Sequence, residues 1–153
     1  MFRRPLFWTV FLIAVLVIFL VIFDAVFHNK NTQAQMEVVL GGKTFLMEMA
    51  TTPAEWEKGL SGHAPLADNT GMLFIFDKPD NYGFWMKDML FPLDIVWIGE
   101  DFRVVHIEKS LSPETYPTVY YPDTLSKFVL EISAGESDKI NIKVGDLIEI
   151  SKK

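Results

Sequence analysis

The chain has 153 residues, enough for one domain of ordinary size and a short appendage, and carries a net charge of −6. Without cysteine it has no disulfide, no thiolate nucleophile and no cysteine-ligated metal, so its domain rests on an apolar core alone. Residues 31–153 hold 11 basic and 19 acidic side chains, a net −8. That balance excludes phosphate-driven nucleic-acid binding and attraction to anionic lipid.

The N-terminal stretch "LFWTVFLIAVLVIFLVIF" (Leu6–Phe23) carries no charge and no helix breaker. At about 1.5 Å per residue it reaches across a hydrocarbon core of roughly 30 Å. Arg3 and Arg4 precede it and Asp24 follows, so the positive-inside tendency keeps residues 1–5 in the cytoplasm. Residues 6–27 are therefore expected to be a single transmembrane anchor. The rival is a cleavable signal peptide, whose apolar region is shorter and ends close to a small-x-small site. "TQAQ" (Thr32–Gln35) is a poor version of that site and lies well beyond the apolar run. Both readings put the domain outside the cytoplasm, on the membrane if the anchor is kept and released if it is cut.

Residues 28–35 read as a polar linker, and 36–153 as the extracytoplasmic domain. "MEVVL-GG-KTFLMEMA" predicts a β-hairpin turning at Gly41–Gly42. "TTPAEWEKGLSG" predicts a short helix, with Thr52 as N-cap, Pro53 at the first position and Glu55 completing a capping box. "GMLFIF" (Gly71–Phe76) reads as a strand covered on both faces, and "DKPDNYG" as a turn-rich break. "FWMKDM", "DIVWIG" and "RVVHIEKS" follow as strands, then the proline-rich loop "LSPETYPTVYYP". "KFVLEIS" and "DLIEI" complete the set, with a helical turn around Gly135–Asn141 between them. Eight short strands and two small helices predict a mainly β domain, an antiparallel β-sandwich or barrel.

The candidate chemistry centres on "GFWMKDMLFPLDIVWIG" (Gly83–Gly99). Alternation puts Phe84, Met86 and Asp88 on one strand face and Trp85, Lys87 and Met89 on the other, so charges fall on both. Lys87 with Asp94, in a pocket lined by Met72, Trp85 and Trp97, makes a small-ligand site. The competing structural reading has Lys87 snorkelling, Asp88 in water and Asp94 capping a turn. Acid–base hydrolysis is the enzymatic alternative, pairing Asp94 with Asp88 or Glu131, although no spacing specifies it and no nucleophile elbow or phosphate cradle is present. Met72, Met86 and Met89 with His63 and His106 offer soft ligands for Cu(I), set against their use as core filler. Tyr116, Tyr120 and Tyr121 are an aromatic platform or a loop pinned by its own rings. No cofactor is expected. The partners expected are the membrane and a small-molecule or cell-envelope ligand.

"GLSGHAPL", "GMLFIF", "FWMKDMLFPLDIVWI", "VLEISAG" and "KVGD" together resemble the domain of unknown function 192 family, from about Met36 to Ile150. The resemblance implies a small prokaryotic domain, often exported or anchored, with a jelly-roll-like β-sandwich fold. It implies no activity, substrate or cofactor. Matching positions include Gly59, Leu60, Gly71–Phe74, Phe84–Lys87, Pro92–Asp94, Glu131 and Gly135. His63 stands where the family usually has arginine, Asp88 where it has asparagine, and Met89 often where it has threonine. An ionised Asp88 only accepts hydrogen bonds where an asparagine would also donate.

Overall fold

The structure, a computed structural model, describes residues 11–19 and 35–152. The chain divides into two units, Met1–Gln33 and Ala34–Lys153. In the first, residues 11–19 are helical and the remainder of the expected anchor lies outside the described residues. No helix among the described residues is long and apolar enough to cross a membrane.

The second unit is mainly β. Its elements are β1 (Gln35–Leu40), β2 (Lys43–Ala50), α1 (Pro53–Lys58), β3 (Thr70–Asp80), β4 (Phe84–Trp85), β5 (Leu93–Ile98) and β6 (Val104–Leu111). A 3₁₀ turn (Pro113–Thr115), β7 (Val119–Tyr120), β8 (Ser126–Ser133), α2 (Glu136–Lys139) and β9 (Glu149–Lys152) complete it. Seven strands make one sheet in the order β6-β5-β8-β3-β2-β1-β9, and β4 and β7 pair as a separate ribbon.

Local chemistry accounts for the early elements. Gly41 and Gly42 both take positive φ (57° and 76°), the conformation a two-residue hairpin turn demands. Thr52 and Glu55 form the reciprocal capping box, with Thr52 Oγ1 accepting from the Glu55 N–H and Glu55 Oε2 from the Thr52 N–H. The Thr51 and Thr52 donors hold the Glu55 carboxyl below its ordinary range. Gly59, at φ 47°, ends α1.

Four expectations are corrected. The sheet does not close into a barrel, and β2 runs parallel to β3, because α1 carries the chain across between them as a parallel pair requires. "FWMKDM" is a strand only at Phe84–Trp85. Asp88, at φ 55°, turns the chain there, so the expected alternation breaks and Met86 and Met89 are both buried. The tyrosine loop contributes a ninth strand, β7, paired with β4.

The sheet separates two cores. On one face Met72, Phe74, Phe76, Phe84, Trp97 and Val129 pack with Leu60, and on the other Leu40, Phe45, Leu73, Val96, Leu130 and Ile132 pack together. Alternation along β5 and β8 fixes the assignment, since Ile95 and Trp97 belong to the first face and Val96 and Ile98 to the second.

Candidate functional site

A cavity of about 300 Å³ opens on the first face, between the C-terminal end of α1 and the β3–β4 region. Its walls come from Trp56, Phe74, Phe76, Tyr82, Phe84, Trp85 and Met89, and Glu131 of β8 contributes the buried acid. The walls are braced by ring contacts. Phe76 stacks on Tyr82 at 3.5 Å, Trp56 meets Phe76 at 4.9 Å, and Phe84 stands edge-on to Phe74 and Trp97. The indole N–H groups are directed away into the scaffold, Trp56 Nε1 to the Ala50 carbonyl and Trp97 Nε1 to the Tyr82 carbonyl. The Trp56 donor is thereby already used, and the ring-lined part of the wall is apolar.

Glu131 is the exception. It is 4 % exposed, and its Oε2 has no hydrogen-bond partner among the described residues. Burial pushes its carboxyl up to about 8, while a hydrogen bond from the Leu60 backbone N–H acts in the opposite direction. At neutral pH it is mostly protonated. Gly59, at φ 47°, lies against this acid, with its Cβ position 3.3 Å from the Phe74 ring and 3.6 Å from Glu131 Oε2. Gly71 lets β3 lie close to the Glu131 backbone carbonyl on the side of the second core. Glu57 and Lys58 stand at the mouth, and an adjoining cleft adds Lys87 and Asp88.

The structure gathers four of the seven sequence-derived candidates on one face. Met72 is the register partner of Glu131, Trp97 supports Phe84 from below, and Trp85 lines the cavity while 42 % exposed. It does not bring Lys87 and Asp94 together. The Lys87 ammonium lies 5.6 Å from the Trp85 ring centre, and Asp88 is exposed beside it. Asp94 is fully buried and belongs to the opposite sheet face. Its Oδ1 accepts from the Ser110 and Gly135 backbone N–H groups and its Oδ2 from that of Ser137. Asp94 therefore pins β6 and the start of α2, and the sheet stands between it and Glu131, which removes the geometry for a shared hydrolytic pair.

The soft-ligand residues are likewise dispersed. Met72, Met86 and Met89 are packed in the first core, His63 borders a different cleft, and both ring nitrogens of His106 are engaged by Glu108 and Asp123. Of the tyrosines, Tyr120 packs on the core, Tyr121 lies against Gly83 and Tyr116 stands edge-on to Trp85.

Sequence reasoning missed Trp56, Phe74, Phe76, Tyr82 and Phe84 as walls. One signal for the site was present in "FVLEI": a single acid in an otherwise apolar run of strand length.

Fold and cavity together define a small β-domain that encloses a buried acid within aromatic walls. The chain belongs to the DUF192 family, described as an uncharacterized ACR, whose model matches residues 25–150. A protein of unknown function from Novosphingobium aromaticivorans is similar at 34% identity, with a TM-score of 0.68 over 75% of this chain and 83% of that one. A Sinorhizobium meliloti protein, provisionally described as a transcription regulator, is similar at 27% identity and a TM-score of 0.69, over 76% of this chain and 92% of that one. No curated protein matches at a significant level.

Proposed function

We propose that the domain is a binding module for a small organic ligand, held in the aromatic cavity with its polar group at Glu131. The observation that carries this reading is the unpartnered Oε2 of Glu131 among the cavity-lining residues. A buried polar atom without a partner costs about 1–3 kcal/mol, a cost that a ligand's polar group would remove. An apolar cavity with one convergent polar group is the ordinary form of a small-molecule site. The ligand-binding role expected from the sequence is thus kept, with Glu131 in place of the Lys87–Asp94 pair.

The apolar run of residues 6–23 supports an N-terminal anchor that holds the domain outside the cytoplasm. The regulator description belongs to the Sinorhizobium protein. In this chain a net −8 over residues 31–153 opposes nucleic-acid binding.

Native mass spectrometry of protein isolated from its own cells tests the reading. A small-molecule adduct is expected on the wild type and is expected to be lost from Glu131→Gln. A wild-type protein free of any adduct, or one retained by the variant, would count against it.

A further inference from the structure

Within the binding reading, on which this inference rests, the cavity's chemistry narrows the ligand class. A sugar would bring several hydroxyls against Trp56, Phe74, Phe76, Tyr82 and Phe84, where the Trp56 indole N–H and the Tyr82 hydroxyl are already given to the Ala50 and Lys78 carbonyls. Each hydroxyl left without a partner there is unfavourable. An organic cation asks for less. It needs aromatic rings for its alkyl substituents and one acid for its charge, and both are present. The protein already makes one such contact, with the Lys87 ammonium over the Trp85 ring. Of the charged groups bordering the cavity, Glu57 and Lys58 stand at the mouth, and Lys87 and Asp88 line the adjoining cleft. Glu131 is the acid inside the cavity, its Oε2 without a hydrogen-bond partner among the described residues.

We propose that the cavity binds an organic ammonium group, its charge at the Glu131 carboxyl and its alkyl substituents against the aromatic walls. The group can belong to a free small molecule or to a lipid headgroup, whose phosphodiester would then meet Lys58 and Lys87.

Calorimetry on the full-length protein in a maltoside detergent tests this with choline and its uncharged isostere 3,3-dimethylbutan-1-ol. Choline is expected to bind at least tenfold more tightly. Because Glu131 must ionise to pair with it, binding at pH 7 is expected to release a proton from Glu131, read from the heat in two buffers of different ionisation enthalpy. Glu131→Gln is expected to lose both the preference and the proton release. Sub-micellar dihexanoylphosphatidylcholine separates the sources: tighter binding than choline assigns a lipid headgroup, and equal or weaker binding a free ammonium. Equal affinity for the isostere would overturn the ammonium class. No binding of choline at millimolar concentration would do the same. The comparison of choline with its isostere uses only the wild type and does not depend on how the variant folds. An adduct of another chemical class, lost in Glu131→Gln, would leave the binding module standing and remove only the ammonium.

Discussion

Glu131 ties the proposed site to the stability of the whole domain. Its carboxyl titrates near 8 in the fold, against an ordinary value of 4.5. For an acid raised in this way, the stabilising contribution is complete below pH 4.5 and is lost as pH rises through 8, because the folded state holds the proton more tightly than the unfolded chain. At about 1.4 kcal/mol per unit, the group removes ~3–4 kcal/mol of stability between pH 5 and pH 8. Glu131→Gln preserves the side-chain volume and the acceptor for the Leu60 N–H but cannot ionise. His106 adds a slope of the same sign. Burial opposes its charge, but the bonds to Glu108 and Asp123 outweigh that and raise its pKa, so its contribution also fades with rising pH. Subtracting the variant's curve from the wild type's cancels His106 and isolates Glu131. Chemical denaturation at pH 5, 6, 7 and 8 should show a wild-type midpoint falling toward alkaline pH much faster than the variant's. Parallel curves would refute the reasoning, since they would mean that Glu131 is ionised and compensated in the fold.

Asp94→Ala should lower stability by at least ~3 kcal/mol in thermal or chemical melts, because three backbone N–H groups lose their acceptor. Asp94→Asn should cost less, since Oδ1 keeps two of them. Thr52→Ala should cost about 1 kcal/mol through loss of the capping box and leave ligand binding unchanged by calorimetry. Gly71→Ala would put a Cβ 2.4 Å from the Glu131 carbonyl oxygen and 2.8 Å from Met47 Sδ. It should yield a protein that melts well below the wild type or does not accumulate in soluble form. The full-length chain should stay in the membrane pellet on carbonate extraction, whereas a chain beginning at Met36 should be released.

Much of the fold was legible because its determinants are local. The glycine pair at 41–42, the Thr52–Glu55 box and the apolar runs of β3, β5 and β8 each specify their element within a few residues. The topology was not, because the parallel β2–β3 pairing depends on where the α1 crossover docks, a long-range event. The site was half legible for a related reason. Strand periodicity can say that Glu131 and Asp94 are acids in apolar strands. Which sheet face each takes depends on the pairing of β5 with β8, where Ile95, not Asp94, faces Glu131. Asp88 misled most directly, since its left-handed turn ends the strand whose alternation suggested a two-faced charge pattern. The walls Trp56 and Tyr82 come from segments far from β8 in sequence, and no spacing announces them.

The most direct test of the central claim is the side-chain carboxyl ¹³C shift of Glu131, followed by NMR across pH 4–10 with and without a saturating cavity ligand. The account predicts a midpoint near 8 in the free protein, and a shift of that midpoint when the cavity is filled. A midpoint near the ordinary carboxylate value, unmoved by any ligand, would contradict it.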